Sequence, residues 1–181
     1  MPLPKPVDAL WVELQSVRAE VLKEADGLSQ GQADWKPSTE EWSVGEVVHH
    51  LTIAEIATGK LTTKLTREAE ASGKPTGFPA DLAGFEPLPP APPGRSDAPA
   101  VVWPEHGKPI AELIATMRAT RERSRQSIER LATVDPRPLT FKHVRFGDLD
   151  LSQWWQLQAH HDGIHLAQIR EIKGAPGFPR A

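Results

Sequence analysis

Four stretches of this sequence place apolar residues at alternating intervals of three and four positions, and this spacing restricts the fold more than any other feature. The stretches are residues 7–28, 43–71, 108–131 and 151–173. An α-helix turns once every 3.6 residues, so this spacing puts the apolar side chains on one face of each helix. Four amphipathic helices and almost no strand pattern predict an all-α fold, a four-helix bundle.

Local signals predict where two of these helices begin. Ser43 is followed three residues later by Glu46, which is a capping-box pattern. Asp150 stands at the same place before the last helix, in D-L-S-Q. The third helix begins near Pro109, because proline is accepted in the first turn. Residues 139–149 are turn-like and contain one short extended piece.

A long proline-rich segment, residues 72–107, separates the second and third helices and holds nine of the 18 prolines. Proline-rich chain is extended and stiff, so this segment can carry the chain along the length of a bundle. We therefore expect a crossover here. The 181 residues fit a single domain, residues 1–181.

Composition excludes several classes of protein. The chain has no cysteine, which removes disulfides, thiolate metal ligands and a cysteine nucleophile. The net charge is −3 with both signs mixed, so there is no basic footprint for a nucleic acid. No run of about 18 apolar residues and no signal-peptide pattern is present, so we expect no membrane span. These features predict a soluble cytoplasmic protein.

The last helix carries polar side chains where a core-facing stripe is expected. The stripe is Trp154, Gln158, His161, His165, Gln168 and Ile172. His161 and His165 are four residues apart, so their rings lie one turn apart on one face and can chelate a transition metal. His160 lies at the flank of this stripe.

The second helix adds a third imidazole. His50 lies beside Leu51 and Ala54 on the apolar face, whereas His49 lies about 200° around the helix from Val47. Three isolated imidazoles in a core would each need a hydrogen-bond partner, but one divalent ion binds all three. Three neutral imidazoles plus water form the open arrangement of a catalytic zinc site. Gln158 and Gln168 are candidates for supporting the ligands or contacting substrate.

Other polar residues near this stripe have competing interpretations. Glu46 is a possible fourth ligand, but a capping role is favoured. Asp162 either orients a histidine or is solvated. His49 is solvated or lies at the mouth of the site, and His106 and His143 are expected in surface loops. The tryptophans are expected in the core rather than around a ligand: Trp35, Trp42, Trp154 and Trp155.

Three motifs resemble the DinB/YfiT-like superfamily. They are W-x6-W-S-V-G-E-V-V-H-H-L from Trp35, F-K-H-V-R-F-G-D-L-D-L-S-Q-W from Phe141, and H-D-x-x-H-x-x-Q-I from His161. The resemblance implies an up-and-down type of four-helix bundle with a long crossover. It also implies a divalent ion, zinc or nickel, on His50, His161 and His165, and a homodimer. The proline-rich residues 78–104 depart from the family pattern.

Three functions follow from these expectations. In a metal-dependent hydrolase, which the family resemblance favours, the ion activates water and Glu46, Asp162 or His49 acts as base. In a thiol transferase the ion activates a low-molecular-weight thiol, and neither a protein cysteine nor an internal base is needed. The third possibility is a metal-binding, stress-associated bundle without catalysis. Both enzymes would act on a small-molecule substrate.

Overall fold

A computed structural model describes residues 2–73, 77–94 and 98–180, and it confirms the predicted helical bundle. Residues 74–76 and 95–97 of the crossover lie outside the described residues. In chain order the elements are α1 Lys5–Ala25, α2 Gln30–Asp34, α3 Val44–Ala71, a 3₁₀ turn Ala100–Val102, α4 Ile110–Leu131, β1 Thr140–His143, β2 Gly147–Asp150 and α5 Leu151–Gly174. The four long helices α1, α3, α4 and α5 form the bundle.

The helix directions explain the long crossover that the resemblance implies. Gly45 at the start of α3 faces Leu113 at the start of α4, so these two helices run parallel. Helix α5 runs antiparallel to α3, since His165 lies near His50 and Trp155 near Thr62. The chain must therefore return over roughly 40 Å between α3 and α4. The proline-rich crossover spans this distance.

Capping boxes start both helices for which the sequence predicts them. The Ser43 hydroxyl accepts the Glu46 N–H, and the Glu46 carboxylate accepts the Ser43 N–H. Asp150 and Gln153 make the same exchange at α5. A Cβ at Gly45 would lie 3.2 Å from the Ala33 carbonyl oxygen, so glycine lets α2 pack closely on the first turn of α3.

Helix α2, the 3₁₀ turn and the pairing of two strands were not predicted. Helix α2 has five residues, too few for an apolar stripe, and its visible signal was the Ser29–Gln32 capping box. The turn-like region at 139–149 contains two antiparallel strands rather than one extended piece, with Thr140 opposite Asp150 and His143 opposite Gly147. The hairpin ends directly at the cap of α5 and so fixes where that helix begins.

The core consists of two apolar clusters with a polar layer between them. One cluster includes Leu14, Leu65, Ile128 and Trp155; the other includes Val21, Leu51, Met117 and Ile169. Between the clusters, each long helix places one buried charged residue in the bundle: Arg18, Glu55, Arg121 and Asp162. The polar layer thus lies at mid-length, where the apolar stripe of each helix is interrupted.

The crossover follows the surface of α5 before it reaches the start of α3. The Gln153 and Gln156 amides donate to the carbonyl oxygens of Pro87 and Glu86. Near its end, the 3₁₀ turn and the residues after it lie against His49 and His50. Among the described residues, no helix combines the length and apolar character needed to cross a membrane.

Candidate metal centre

His50 reaches the interior because the first turns of α3 are almost entirely buried. The cap at Ser43 sets the start of the helix, and His50 follows two turns later with only 3% of its surface exposed. His49 faces the crossover instead, and its Nδ1 accepts the Glu105 N–H at 2.9 Å. The prediction that only one of the two adjacent histidines faces inward is thus reproduced by the structure.

His161 and His165 on α5 meet His50 from the opposite helix. Their ring centroids are 4.6 Å apart, as the spacing of four residues predicts. The Nε2 atom of His161 lies 3.0 Å from Nε2 of His50 and 3.0 Å from Nε2 of His165. One nitrogen of each ring therefore converges on a common point, and the three ligand atoms all lie within 4.8 Å of one another.

The outer nitrogens fix the tautomers of two rings. His50 Nδ1 lies 2.7 Å from the Val102 carbonyl oxygen, and His165 Nδ1 lies 2.6 Å from Gln168 Oε1. Both oxygens are acceptors, so both Nδ1 atoms carry the proton and both Nε2 atoms present a lone pair. His161 Nε2–H can donate to only one of them. Hydrogen bonding alone therefore leaves one lone pair facing another nitrogen.

A divalent cation resolves this arrangement. Two imidazole nitrogens on one zinc ion, at about 2.0–2.1 Å each, lie roughly 2.9–3.4 Å apart for bond angles between right and tetrahedral. The two 3.0 Å separations at His161 fall in that range. Convergent lone pairs, fixed tautomers and matching spacing together make these three residues a donor set that fits such an ion.

Burial keeps the three imidazoles neutral. Desolvation lowers the pKa of His50 to about 4, although the Val102 carbonyl opposes the shift. Desolvation and the neighbouring histidines hold the pKa of His161 well below its usual value, and burial also lowers the pKa of His165. Neutral imidazole is the form that binds metal, so the site needs little proton release at neutral pH.

An indole ring closes one side of the cluster. Trp42 lies 4.8 Å from the His50 ring and stacks on His165 at 6.1 Å and 19°. Trp103 packs edge-on against Trp42 at 5.5 Å, and 52% of its surface is exposed. The sequence placed Trp42 in the core, and it does pack there, but it also borders the histidines.

Comparison with known proteins assigns the chain to a family. The sequence model of the DinB superfamily matches residues 13–169. The chain belongs to the DinB superfamily. This DinB chain is 28% identical over 160 residues to an uncharacterized protein, YuaE of Bacillus subtilis (strain 168), an alignment that covers 86% of the chain and 92% of YuaE. No solved structure matches it.

In this DinB protein Glu46 serves the helix cap rather than the histidine cluster. Its carboxylate accepts the Ser43 N–H at 2.8 Å and pairs with Lys36 and His106. Burial alone would raise the pKa of Glu46, but the Ser43 N–H and the Lys36 ammonium lower it. Its oxygens are therefore occupied, in keeping with the favoured capping role.

Asp162 is neither solvated nor hydrogen-bonded to a histidine. Its side chain is fully buried and accepts two hydrogen bonds of 2.8 Å from Arg18, with Arg121 at 3.2 Å. The expectation that Asp162 is solvated was therefore wrong, whereas the expectation that it orients a histidine, drawn from its place directly after His161, stays a prediction. Its partners lie 144 and 41 positions away, and no local pattern marks them.

The two glutamines of the predicted stripe have different partners. Gln168 contacts His165, as described above, so it supports a ligand of the proposed site. Gln158 donates to the Thr58 hydroxyl at 2.9 Å, deeper in the bundle, and its buried Oε1 has no hydrogen-bond partner among the described residues. His160 is exposed at the flank of α5, as the helical wheel predicts.

Two aromatic placements differ from the sequence interpretation. Trp154 is only half-buried, and its indole N–H donates to the Phe141 carbonyl oxygen; the neighbouring Trp155 occupies the core position. His143 belongs to strand β1 and packs on Trp154, so it is not in a surface loop, whereas His106 is exposed. The inward face of α5 is thus rotated toward Trp155, which leaves His161 and His165 at its edge, only partly buried by surface area.

Proposed function

We propose that this DinB-superfamily protein binds one divalent ion, zinc or nickel, through His50, His161 and His165. The observation that carries the proposal is the convergence of three Nε2 atoms, two of which have their protons held at Nδ1 by Val102 O and Gln168 Oε1. A cavity built only for hydrogen bonding would not aim two lone pairs at one nitrogen.

We propose that the bound ion serves catalysis on a small molecule, in a homodimeric protein. An ion on three neutral imidazoles has an open coordination position, where it lowers the pKa of a bound water or thiol. The protein holds the rings in place through Val102 and Gln168, and Trp42 shields one side from water. The exposed parts of the His161 and His165 rings, which are only partly buried, provide the approach.

The surroundings support an external thiol as the nucleophile. A hydrolase wants a base beside the attacking water, yet Glu46, Asp162 and His49 are each engaged elsewhere. A thiol that has lost its proton is already nucleophilic, so no protein base has to remove a proton during the attack. Its sulfur would form a bond to an electrophilic carbon as the leaving group departs with the bonding electrons.

Hydrolysis is the second candidate, because three neutral imidazoles without a thiolate are the donor set of known water-activating zinc sites. The two enzymes are distinguished by their dependence on thiol. Metal-loaded protein is assayed with an aryl halide and a panel of low-molecular-weight thiols, and separately with a nitrophenyl ester and no thiol. Turnover of the halide only with thiol supports the transferase; ester turnover without thiol supports the hydrolase.

Elemental analysis of untagged protein tests the site itself. We expect about one ion per chain after reconstitution in the wild type, and loss of that ion in His50→Ala, His161→Ala and His165→Ala. His49→Ala and His160→Ala are matched controls on the same helices and should keep the ion. If the metal-loaded protein showed neither the transferase nor the hydrolase activity, the third possibility, a metal-binding bundle without catalysis, would be supported. Wild type that takes up no ion would disprove the site.

A further inference from the structure

Four buried charges, one from each long helix, form a closed ionic cluster at mid-length of the bundle. Arg18 Nε and Nη2 donate to the two oxygens of Asp162 at 2.8 Å, and Arg18 Nη1 lies 2.9 Å from Glu55. Arg121 Nε donates to Glu55 at 2.8 Å and Arg121 Nη2 to Asp162 at 3.2 Å. Every member is at least 95% buried.

This cluster, here called the ionic quartet, connects the two helices that supply the histidines. Helix α3 carries His50 and, five residues later, Glu55; helix α5 carries His161, His165 and, between them, Asp162. Among the described residues, the two carboxylates are joined through the guanidinium groups of α1 and α4. Each arginine thus bridges α3 to α5 directly beneath the histidine cluster.

Stability alone is a poor reason for such a cluster. Four well-packed apolar side chains would hold a bundle together at least as well, because desolvating charges offsets most of their attraction. Guanidinium–carboxylate pairs instead fix the relative orientation of the two side chains, because the planar guanidinium donates two parallel hydrogen bonds to a carboxylate in one geometry. The apolar packing on either side would tolerate a small sliding or rotation of α5. The paired guanidinium and carboxylate groups would not, because their hydrogen bonds would break.

We infer that the ionic quartet positions the metal ligands: it fixes the height and rotation of α5 against α3, so that His161 and His165 meet His50. This inference rests on the proposed metal site. Asp162 is therefore a positioning residue rather than a catalytic base. Rotation of α5 by a fraction of a turn would separate Nε2 atoms that now lie 3.0 Å apart.

Three single substitutions test the inference through the sign of their effects. Asp162→Asn and Glu55→Gln leave the quartet with one excess positive charge, whereas Arg121→Met leaves one excess negative charge. A positioning role predicts that all three weaken cobalt(II) binding, by about ten-fold to 100-fold, as losses around metal ligands typically do. A purely electrostatic influence predicts weaker binding for the first two variants and tighter binding for the third, which would overturn the inference.

The cobalt(II) absorption spectrum gives a second measurement, because band shape reports coordination geometry. We expect altered bands in all three variants at saturating cobalt. Leu131→Ala, in the apolar cluster at the other end of the bundle, is the control for lost stability. It should lower the melting temperature and leave cobalt affinity and spectrum unchanged. Arg121→Lys keeps the charge but not the planar guanidinium and replaces Arg121→Met if that variant does not fold.

The outcomes separate this inference from the metal site on which it rests. Wild type that binds no cobalt removes the proposed site. Wild type that binds cobalt, with quartet variants matching it in affinity and spectrum, keeps the site and rejects the positioning role. A loss of cobalt affinity in Leu131→Ala as large as that in the quartet variants would also reject it, since the effect would then follow stability alone.

Discussion

At the scale of single residues, the chemistry depends on which ring nitrogen carries a proton. The sequence predicts the three histidines because helical spacing determines which side chains share a face. It cannot predict the Val102 carbonyl, a backbone group 52 positions from His50, although that oxygen fixes the tautomer. Gln168 was within reach of prediction because it lies three residues after His165 on the same helix.

We predict that Gln168 sets the affinity of the metal centre. Gln168→Ala removes the acceptor for His165 Nδ1–H and should weaken zinc binding by about ten-fold to 100-fold. Gln168→Glu supplies a stronger acceptor and should tighten it. Competition with a chromophoric chelator measures both, with His160→Ala as the control on the same helix. Equal affinities in Gln168→Ala and wild type would contradict the assigned tautomer.

We predict that metal-free protein loses stability in mild acid. The pKa of His50 is about 4 in the folded chain, against about 6.5 when unfolded. Between these values the unfolded chain takes up a proton that the folded chain excludes, so the free energy of unfolding falls as pH drops from about 6.5 to about 4. The loss attributable to His50 is up to about 3 kcal/mol.

Urea denaturation at pH 7.5 and pH 5 in the presence of chelator measures this loss. His50→Gln has no titrating ring at this position but can still donate to Val102, so its stability should depend less on pH. His161 and His165 contribute in the same direction, and the variant therefore keeps part of the slope. If the free energy of unfolding of His50→Gln depended on pH as much as that of the wild type, His50 would not contribute to the loss of stability in acid.

At the scale of elements, the sequence predicts well the features that depend on residues close together in the chain. The apolar stripes and the capping boxes at Ser43 and Asp150 locate the long helices to within a few residues. Helix α2 and the β-hairpin are too short to produce a periodic pattern, and both depend on packing against longer elements. The polar layer of the core escaped prediction for the same reason, because each member pairs with a distant helix.

We predict that the cap of α5 contributes measurably to stability. Asp150→Ala removes the acceptor for the Gln153 N–H and should lower the free energy of unfolding by about 1 kcal/mol. For a chain of this size that is roughly 2–4 °C in melting temperature. Asp148→Ala removes an exposed carboxylate two residues earlier in strand β2; it is the matched control and should change little. Equal melting temperatures for the two variants would assign the start of α5 to the hairpin alone.

At the scale of the whole molecule, the crossover connects the topology to the proposed site. Two parallel helices, α3 and α4, require a long return, and the end of that return lies on His49 and His50. The sequence predicts the crossover from its prolines, but not its course, because the contacts that anchor it are mostly to backbone atoms. The segment that lets the bundle close therefore also supplies the acceptor that holds the proton on Nδ1 of His50, as the proposed metal site requires.

We predict that metal binding protects the end of the crossover from proteolysis. An ion on His50 Nε2 would hold the ring whose Nδ1–H holds Val102, so the segment through Glu105 should open less often. A glutamate-specific protease can cut after Glu105, which is exposed, and cleavage there should slow when zinc is added. His49→Ala removes the acceptor for the Glu105 N–H and should speed cleavage with or without zinc. The His50→Ala variant should be cleaved quickly, and zinc should not slow its cleavage. A zinc response that survives in His50→Ala would mean that the metal acts elsewhere, and that the crossover is held independently of the histidine cluster.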